Sequence, residues 1–192
     1  GAEKVYIAGL SAGGAMASIM LFHYPELFDG GAIVAGLPYP CAEDLPQALA
    51  CMKNGPAKKF VNYQQQKVVP REWPRLTIWT GTQDKIVNPI NAKSIAQQWV
   101  ALTGAKLKSS KTAKEMFDVQ ASSGDKKAST EVIISDWYNK SDGIQVQLVE
   151  IGNMGHGMPV IPKIEGAGIS GDYLLATPLS AALMIPRFWR LY

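Results

Sequence analysis

Apolar residues gather in short runs, each bounded by glycine or proline and separated by longer mixed stretches. Val5-Tyr6-Ile7-Ala8 is the first run, rich in β-forming residues and closed by Gly9. A short run with no polar alternation predicts a strand buried on both faces, as in a parallel sheet. From Ala12 to about Tyr24 the residues are helix-compatible, and Pro25 marks the stop, because a proline drives the residue before it out of the helical region. Gly31-Ala32-Ile33-Val34-Ala35 predicts a second strand. Pro38, Pro40 and Pro46 punctuate the next stretch, where Asp44 to Met52 predicts a short helix. Leu76-Thr77-Ile78-Trp79, between Pro74 and Gly81, predicts a third strand, followed by a helix from about Pro89 to Leu102 with Asn88 placed to cap it. Glu131 to Tyr138 and Ile144 to Ile151 are rich in β-branched residues, and Asn139-Lys140-Ser141-Asp142-Gly143 between them reads as a hairpin turn. The last element is a helix from about Pro178 to Arg190, kinked or broken at Pro186. Strands alternating with helices predict an α/β fold with a mostly parallel sheet flanked by helices, in one domain spanning residues 1–192.

Composition narrows this picture. With 47% hydrophobic and 18% charged residues in 192, the chain buries a real core and is not a disordered tail. The net charge of +3 comes from scattered lysines and arginines. Only Lys106 to Lys114 is locally basic, and no aromatics interleave it, so it reads as a solvated loop and no nucleic-acid partner is expected. No window of 18 apolar residues occurs, so no membrane-spanning segment is expected. The chain opens at Gly1-Ala2-Glu3-Lys4 and runs directly into a strand, as though its true beginning had been removed. Cys41 and Cys51 are the two cysteines, ten positions apart; without a CxxC pair or a Cys/His cluster, no metal is expected. Bridged, they would contribute about 2.5 to 3 kcal/mol through loop closure and imply export; unpaired, they would be the thiols of a cytosolic protein.

Chemistry enters at Gly9-Leu10-Ser11-Ala12-Gly13. A serine hydroxyl is a poor nucleophile until a base removes its proton, and the base needs an acid to orient it. Ser11 sits between a strand and a helix, where the G-x-S-x-G elbow of an α/β-hydrolase exposes its oxygen, and glycines at 9 and 13 are expected to relieve collisions in so sharp a turn. Of the two histidines, His156 lies in the glycine-rich loop Gly152-Asn153-Met154-Gly155-His156-Gly157 after a strand and is the candidate base. His23, near the end of a helix, suits the negative end of the helix dipole. Asp84, in Gly81-Thr82-Gln83-Asp84-Lys85 after the third strand, is the candidate acid and gives the order Ser, Asp, His. Asp136, Asp142 and Glu150 lie within or between hairpin strands, where a carboxylate faces solvent. The N–H of Ala12 is the expected oxyanion donor. The second donor should come from a loop upstream of the elbow, and none remains in this chain.

Gly9-Leu10-Ser11-Ala12-Gly13-Gly14-Ala15-Met16 followed by Tyr24-Pro25-Glu26-Leu27-Phe28 resembles the elbow region of the polyhydroxybutyrate depolymerase family of esterases. The stretches Ala35 to Tyr39, Trp73-Pro74-Arg75, Trp79 to Asp84, Asn91 to Trp99, Gly155-His156 and Phe188 to Leu191 resemble the same family in the same order. The resemblance implies a secreted or periplasmic α/β-hydrolase without cofactor or metal. Its substrates would be esters of short hydroxyacids, polymers among them, or esters decorating plant polysaccharides. It also implies pairing of Cys41 with Cys51. Relatives carry several more strands and a His-Gly loop before the elbow, so the chain reads as the C-terminal part of a catalytic domain, its first strands supplied by the rest of that protein or by another copy of the chain. An uncovered sheet edge and apolar flank are expected there. Met158-Pro159 stands where many relatives have Trp-Pro. Tyr39, Trp73 and Trp79 are read as packing residues. A peptidase or thioesterase on the same triad, a noncatalytic module on the same scaffold, and an inactive fragment are the alternatives.

Overall fold

The glycine- and proline-bounded runs assemble side by side. The computed structural model describes residues 3–61, 72–121, 124–139 and 143–192. Strand β1 (Tyr6–Leu10) leads through the elbow into α1 (Ala12–His23), a single 3-10 turn (Pro25–Leu27) and β2 (Gly30–Val34). Then come α2 (Leu45–Asn54), α3 (Lys58–Val61), β3 (Arg75–Gly81) and α4 (Ile90–Thr103). Three longer strands follow, β4 (Lys106–Ala121), β5 (Gly124–Asn139) and β6 (Gly143–Ile151); the chain ends with β7 (Met158–Val160), β8 (Leu174–Ala176) and α5 (Ala181–Phe188). The main sheet runs in the order β1-β2-β3-β6-β5-β4, while β7 and β8 form a small parallel pair. The first four strands of that order are mutually parallel, β5 is antiparallel to β6, and β4 is antiparallel to β5.

The parallel strands are covered on both faces. Ile33, Leu76, Ile78, Val146 and Leu148 meet Ala17 and Leu21 of α1 and Ile95 and Trp99 of α4 on one face. The alternate residues Ala32, Val34, Trp79, Val149 and Ile151 meet Ala181 and Ile185 of α5 on the other. Trp99 is 1% exposed, donates from Nε1 to Pro74 O at 3.0 Å and meets Trp73 edge-on. Trp79 is equally buried and donates to Thr77 Oγ1, while Tyr39 lies against Phe22 and His23. All three aromatics thus have packing partners. Among the described residues β1 pairs on one side only, with β2, leaving the other edge open as expected.

The basic stretch Lys106 to Lys114 is not a loop. It forms most of β4, paired with β5 except for an irregularity between Leu107 and Ser109. Its lysines and serines lack an alternating apolar face because β4 is the outermost strand, and charged residues at such an edge discourage pairing with other chains. The hairpin strands β5 and β6 pair through Asn139 and Gly143; residues 140–142, including Asp142, lie outside the described residues. Helix α5 starts at Ala181, later than expected, with the Ser180 side chain accepting from Leu183 N. Asn88 does accept from Ile90 N at 3.0 Å, one position before the residue that flanks α4. No helix among the described residues is long and apolar enough to cross a membrane.

The expected bridge between Cys41 and Cys51 is not formed; both are buried free thiols. Each thiol is the other's neighbour, and their interaction holds the Cys41 thiol below its ordinary pKa and, with burial, pushes that of Cys51 up. Cys51 also donates to Asn91 Oδ1 at 3.4 Å, and Asn91 Nδ2 donates to Cys51 O, so the thiol is part of a polar tie between α2 and α4. Trp99→Ala, which removes a large buried side chain that α4 packs into the core, is expected to destabilise the fold by about 3–5 kcal/mol, read as a lower urea midpoint by circular dichroism.

Candidate active site

Three loops meet at the carboxyl ends of the parallel strands. Ser11 follows β1 at φ 55° and ψ −118°, a conformation that costs a residue with a Cβ on the order of 1–3 kcal/mol. Its N–H is held by Val34 O at 2.9 Å and its carbonyl by Ala15 N at 3.0 Å, so the turn between β1 and α1 is fixed from both sides. A Cβ on Gly9 would lie 2.1 Å from Gly13 O, so Gly9 is required for the close approach of the helix start. Gly13 itself is not required in this way. A Cβ there would meet open space, and the second tight contact falls on Gly14, which packs against Gly36 and Ile33. The motif therefore matched at both glycines although only the first is sterically demanded.

Asp84 follows β3 in a short loop, its side chain fully buried. One oxygen, Oδ1, accepts from the N–H groups of Ile86 and Val87, each at 2.8 Å. The other, Oδ2, lies 2.7 Å from His156 Nδ1. His156 Nε2 in turn lies 2.9 Å from Ser11 Oγ. A carboxylate only accepts, so it orients the imidazole with the proton on Nδ1 and the Nε2 lone pair toward the serine hydroxyl. The imidazole side chain is 9% exposed. Ala12 is the first residue of α1 and exposed, and the N–H of a first helical residue has no acceptor within the helix.

Two of the three carboxylates set aside in favour of Asp84 are engaged elsewhere, the third, Asp142, lying outside the described residues. Asp136 accepts from Gln147 Nε2 and Glu150 pairs with Lys93. His23 closes α1 beside Tyr39. Several positioning residues had no sequence signal of their own. Thr82 N and Gln83 N donate to Ile151 O and Met154 O, and Asn153 N donates to Thr82 Oγ1. Gln83 Nε2 donates to Asn153 Oδ1 at 3.1 Å. These bonds tie the acid loop to the base loop directly. Asn153 has φ 57°, and asparagine tolerates that region better than most residues; an asparagine after the glycine that follows β6 is the one clue the sequence carried. A separate cleft lined by Glu26, Asp29, Trp73, Arg75 and Gln145 opens at the amino ends of the strands, away from this site.

A strand, elbow and helix, followed by acid and base loops at the same sheet edge, make the fold that of an α/β-hydrolase. An acetyl xylan esterase from Aspergillus awamori shares it with a TM-score of 0.59 at 17% identity, over 80% of this chain and 54% of that one. The chain belongs to the Esterase PHB depolymerase family, whose model matches residues 1–119. It is 28% identical to poly(3-hydroxyalkanoate) depolymerase C of Paucimonas lemoignei, over 97% of this chain and 44% of that protein. It is 27% identical to feruloyl esterase B of Talaromyces stipitatus, over 57% of this chain and 34% of that protein. The chain thus spans between a third and a half of the length of these curated relatives.

Gly81 ends β3 beneath the histidine loop, and a Cβ on it would lie 2.3 Å from Met154 O. Gly81→Ala is therefore expected to push the 152–157 loop away and lengthen the His156 contacts. In an NMR spectrum the His156 ring resonances should shift while those of His23 stay in place.

Proposed function

We propose that the chain carries the catalytic triad of a carboxylic ester hydrolase, with Ser11 as nucleophile, His156 as base and then acid, and Asp84 as the group that orients the imidazole. The observation that supports this most directly is the unbroken contact series from Asp84 Oδ2 through His156 to Ser11 Oγ. Ser11 Oγ attacks the ester carbonyl as His156 Nε2 takes its proton, forming a tetrahedral intermediate whose oxyanion the Ala12 N–H stabilises. Collapse of the intermediate breaks the bond to the alcohol, which leaves with the proton from His156. Water, deprotonated by the same nitrogen, then attacks the acyl-enzyme and restores Ser11. The Asp84 charge stabilises the imidazolium formed in each half of the cycle.

The proposed substrates are esters of short hydroxyacids, polymeric ones included, or esters attached to polysaccharides, in line with the names of the curated relatives. A polymer of that kind does not cross a membrane, which supports a site of action outside the cytoplasm. With Cys41 and Cys51 unpaired, the cysteines add nothing to that argument.

A fluorophosphonate probe is expected to add its mass to the folded protein and not to Ser11→Ala; an unlabelled, well-folded wild type would overturn the activated serine. Short p-nitrophenyl esters, feruloyl esters and polyhydroxybutyrate films then rank the substrates. Asp84→Asn, which presents a donor where the imidazole needs an acceptor, is expected to lower kcat on the order of 10⁴-fold with the far-ultraviolet circular dichroism unchanged.

A further inference from the structure

Tyr173 occupies the second corner of a tight turn in which Gly171 and Leu174 exchange both backbone hydrogen bonds, each at 3.0 Å. Its φ is 60°, and a positive φ at that corner ordinarily selects glycine or asparagine. A bulky aromatic there is a strained choice. The strain is not offset by burial, because Tyr173 is 62% exposed. Nor is it offset by its hydroxyl, which makes no hydrogen bond among the described residues. The surrounding backbone nevertheless fixes the point from which the ring projects. Tyr173 O accepts from Met158 N at 2.7 Å, and Gly157 leaves room for that carbonyl, since a Cβ there would lie 2.7 Å from it. The turn is thus anchored two residues after His156. The ring stands 6.1 Å from the imidazole, nearly perpendicular to it at 83°.

We propose that Tyr173 is a substrate-contact residue whose ring forms an apolar wall for the alcohol portion of the ester. This rests on the triad reading above. His156 Nε2 must reach both Ser11 Oγ and the departing alcohol oxygen, so the alcohol lies on the imidazole side of the scissile bond, where Tyr173 stands. Strain retained at an exposed residue beside the base fits a role in binding. An aromatic face rewards an extended apolar alcohol, such as an alkyl chain or the next unit of a hydroxyacid polyester, and not a one- or two-carbon one.

Ethyl and hexyl butyrate share an acyl group and differ only in the alcohol. Tyr173→Ala is expected to lower kcat/KM for hexyl butyrate about tenfold while changing ethyl butyrate less than twofold and leaving fluorophosphonate labelling of Ser11 intact. Tyr173→Phe should keep the preference, and Tyr173→Gly should lose it while melting no lower than wild type, since glycine suits the turn. Binding is read separately, by calorimetry on the Ser11→Ala protein: hexyl butyrate should bind more tightly than ethyl butyrate, and adding Tyr173→Ala should erase the difference. Equal losses for the two esters, or none, would overturn the role of Tyr173 even if ester hydrolysis is present. Tyr173-dependent binding without hydrolysis would uphold it and overturn the hydrolase reading instead, and loss of both would overturn both.

Discussion

The backbone of Ser11 is held in a conformation that a side chain ordinarily avoids, and the site depends on what keeps it there. The Val34 carbonyl fixes its N–H from the neighbouring strand, and α1 begins at the next residue, so the turn has no freedom to relax. Gly9 makes that possible by letting the first turn of the helix close over the end of β1. A residue with a side chain at position 9 would force β1 and α1 apart, and the serine oxygen would leave the position from which His156 reaches it. The local cost is carried by the double-sided core beneath, which binds β1, β2 and α1 into one unit.

The same edge of the sheet supplies the other two groups by a second close approach. Gly81 lets the histidine loop lie against the end of β3, and the Thr82, Gln83 and Asn153 bonds tie that loop to the aspartate's. The aspartate is therefore buried with both oxygens occupied, whereas the imidazole keeps a small opening toward solvent. That division suits the proposed roles. The orienting carboxylate belongs away from water, and the base must meet both a substrate and a water molecule.

Of the five non-glycine residues with positive φ among the described residues, three lie in this region. These are Ser11, Asn153 and Tyr173, and all lie on or beside the three loops that converge at the strand ends. In Ser11 the strain aims a nucleophile, and in Asn153 it serves a tie between loops. Tyr173 is the unusual member, because an exposed aromatic gains least from the conformation imposed on it. The long hairpin of β4 and β5 shows the opposite design: a regular ribbon with polar residues along its edge, where Lys127 and Lys163 beside Asp118 hold that carboxyl below its usual range.

The sequence by itself determined the order of the central elements, because buried parallel strands are short apolar runs and glycine and proline bound them. It also determined the candidate nucleophile, base and acid, since a serine in a strand-to-helix glycine motif, one loop histidine and one aspartate after a strand left few choices. It misread Lys106 to Lys114, because an outer strand wet on both faces has no apolar alternation to reveal it. It gave equal weight to Gly9 and Gly13, though only the approach of the helix start distinguishes a demanded glycine from a tolerated one. The tertiary structure alone decided that Cys41 and Cys51 face one another as thiols. It alone decided that Asn153 joins two loops distant in the chain and that Tyr173 stands against His156. Each of these is a contact between segments whose separation in sequence carries no period, so only packing of the sheet and its loops could set it.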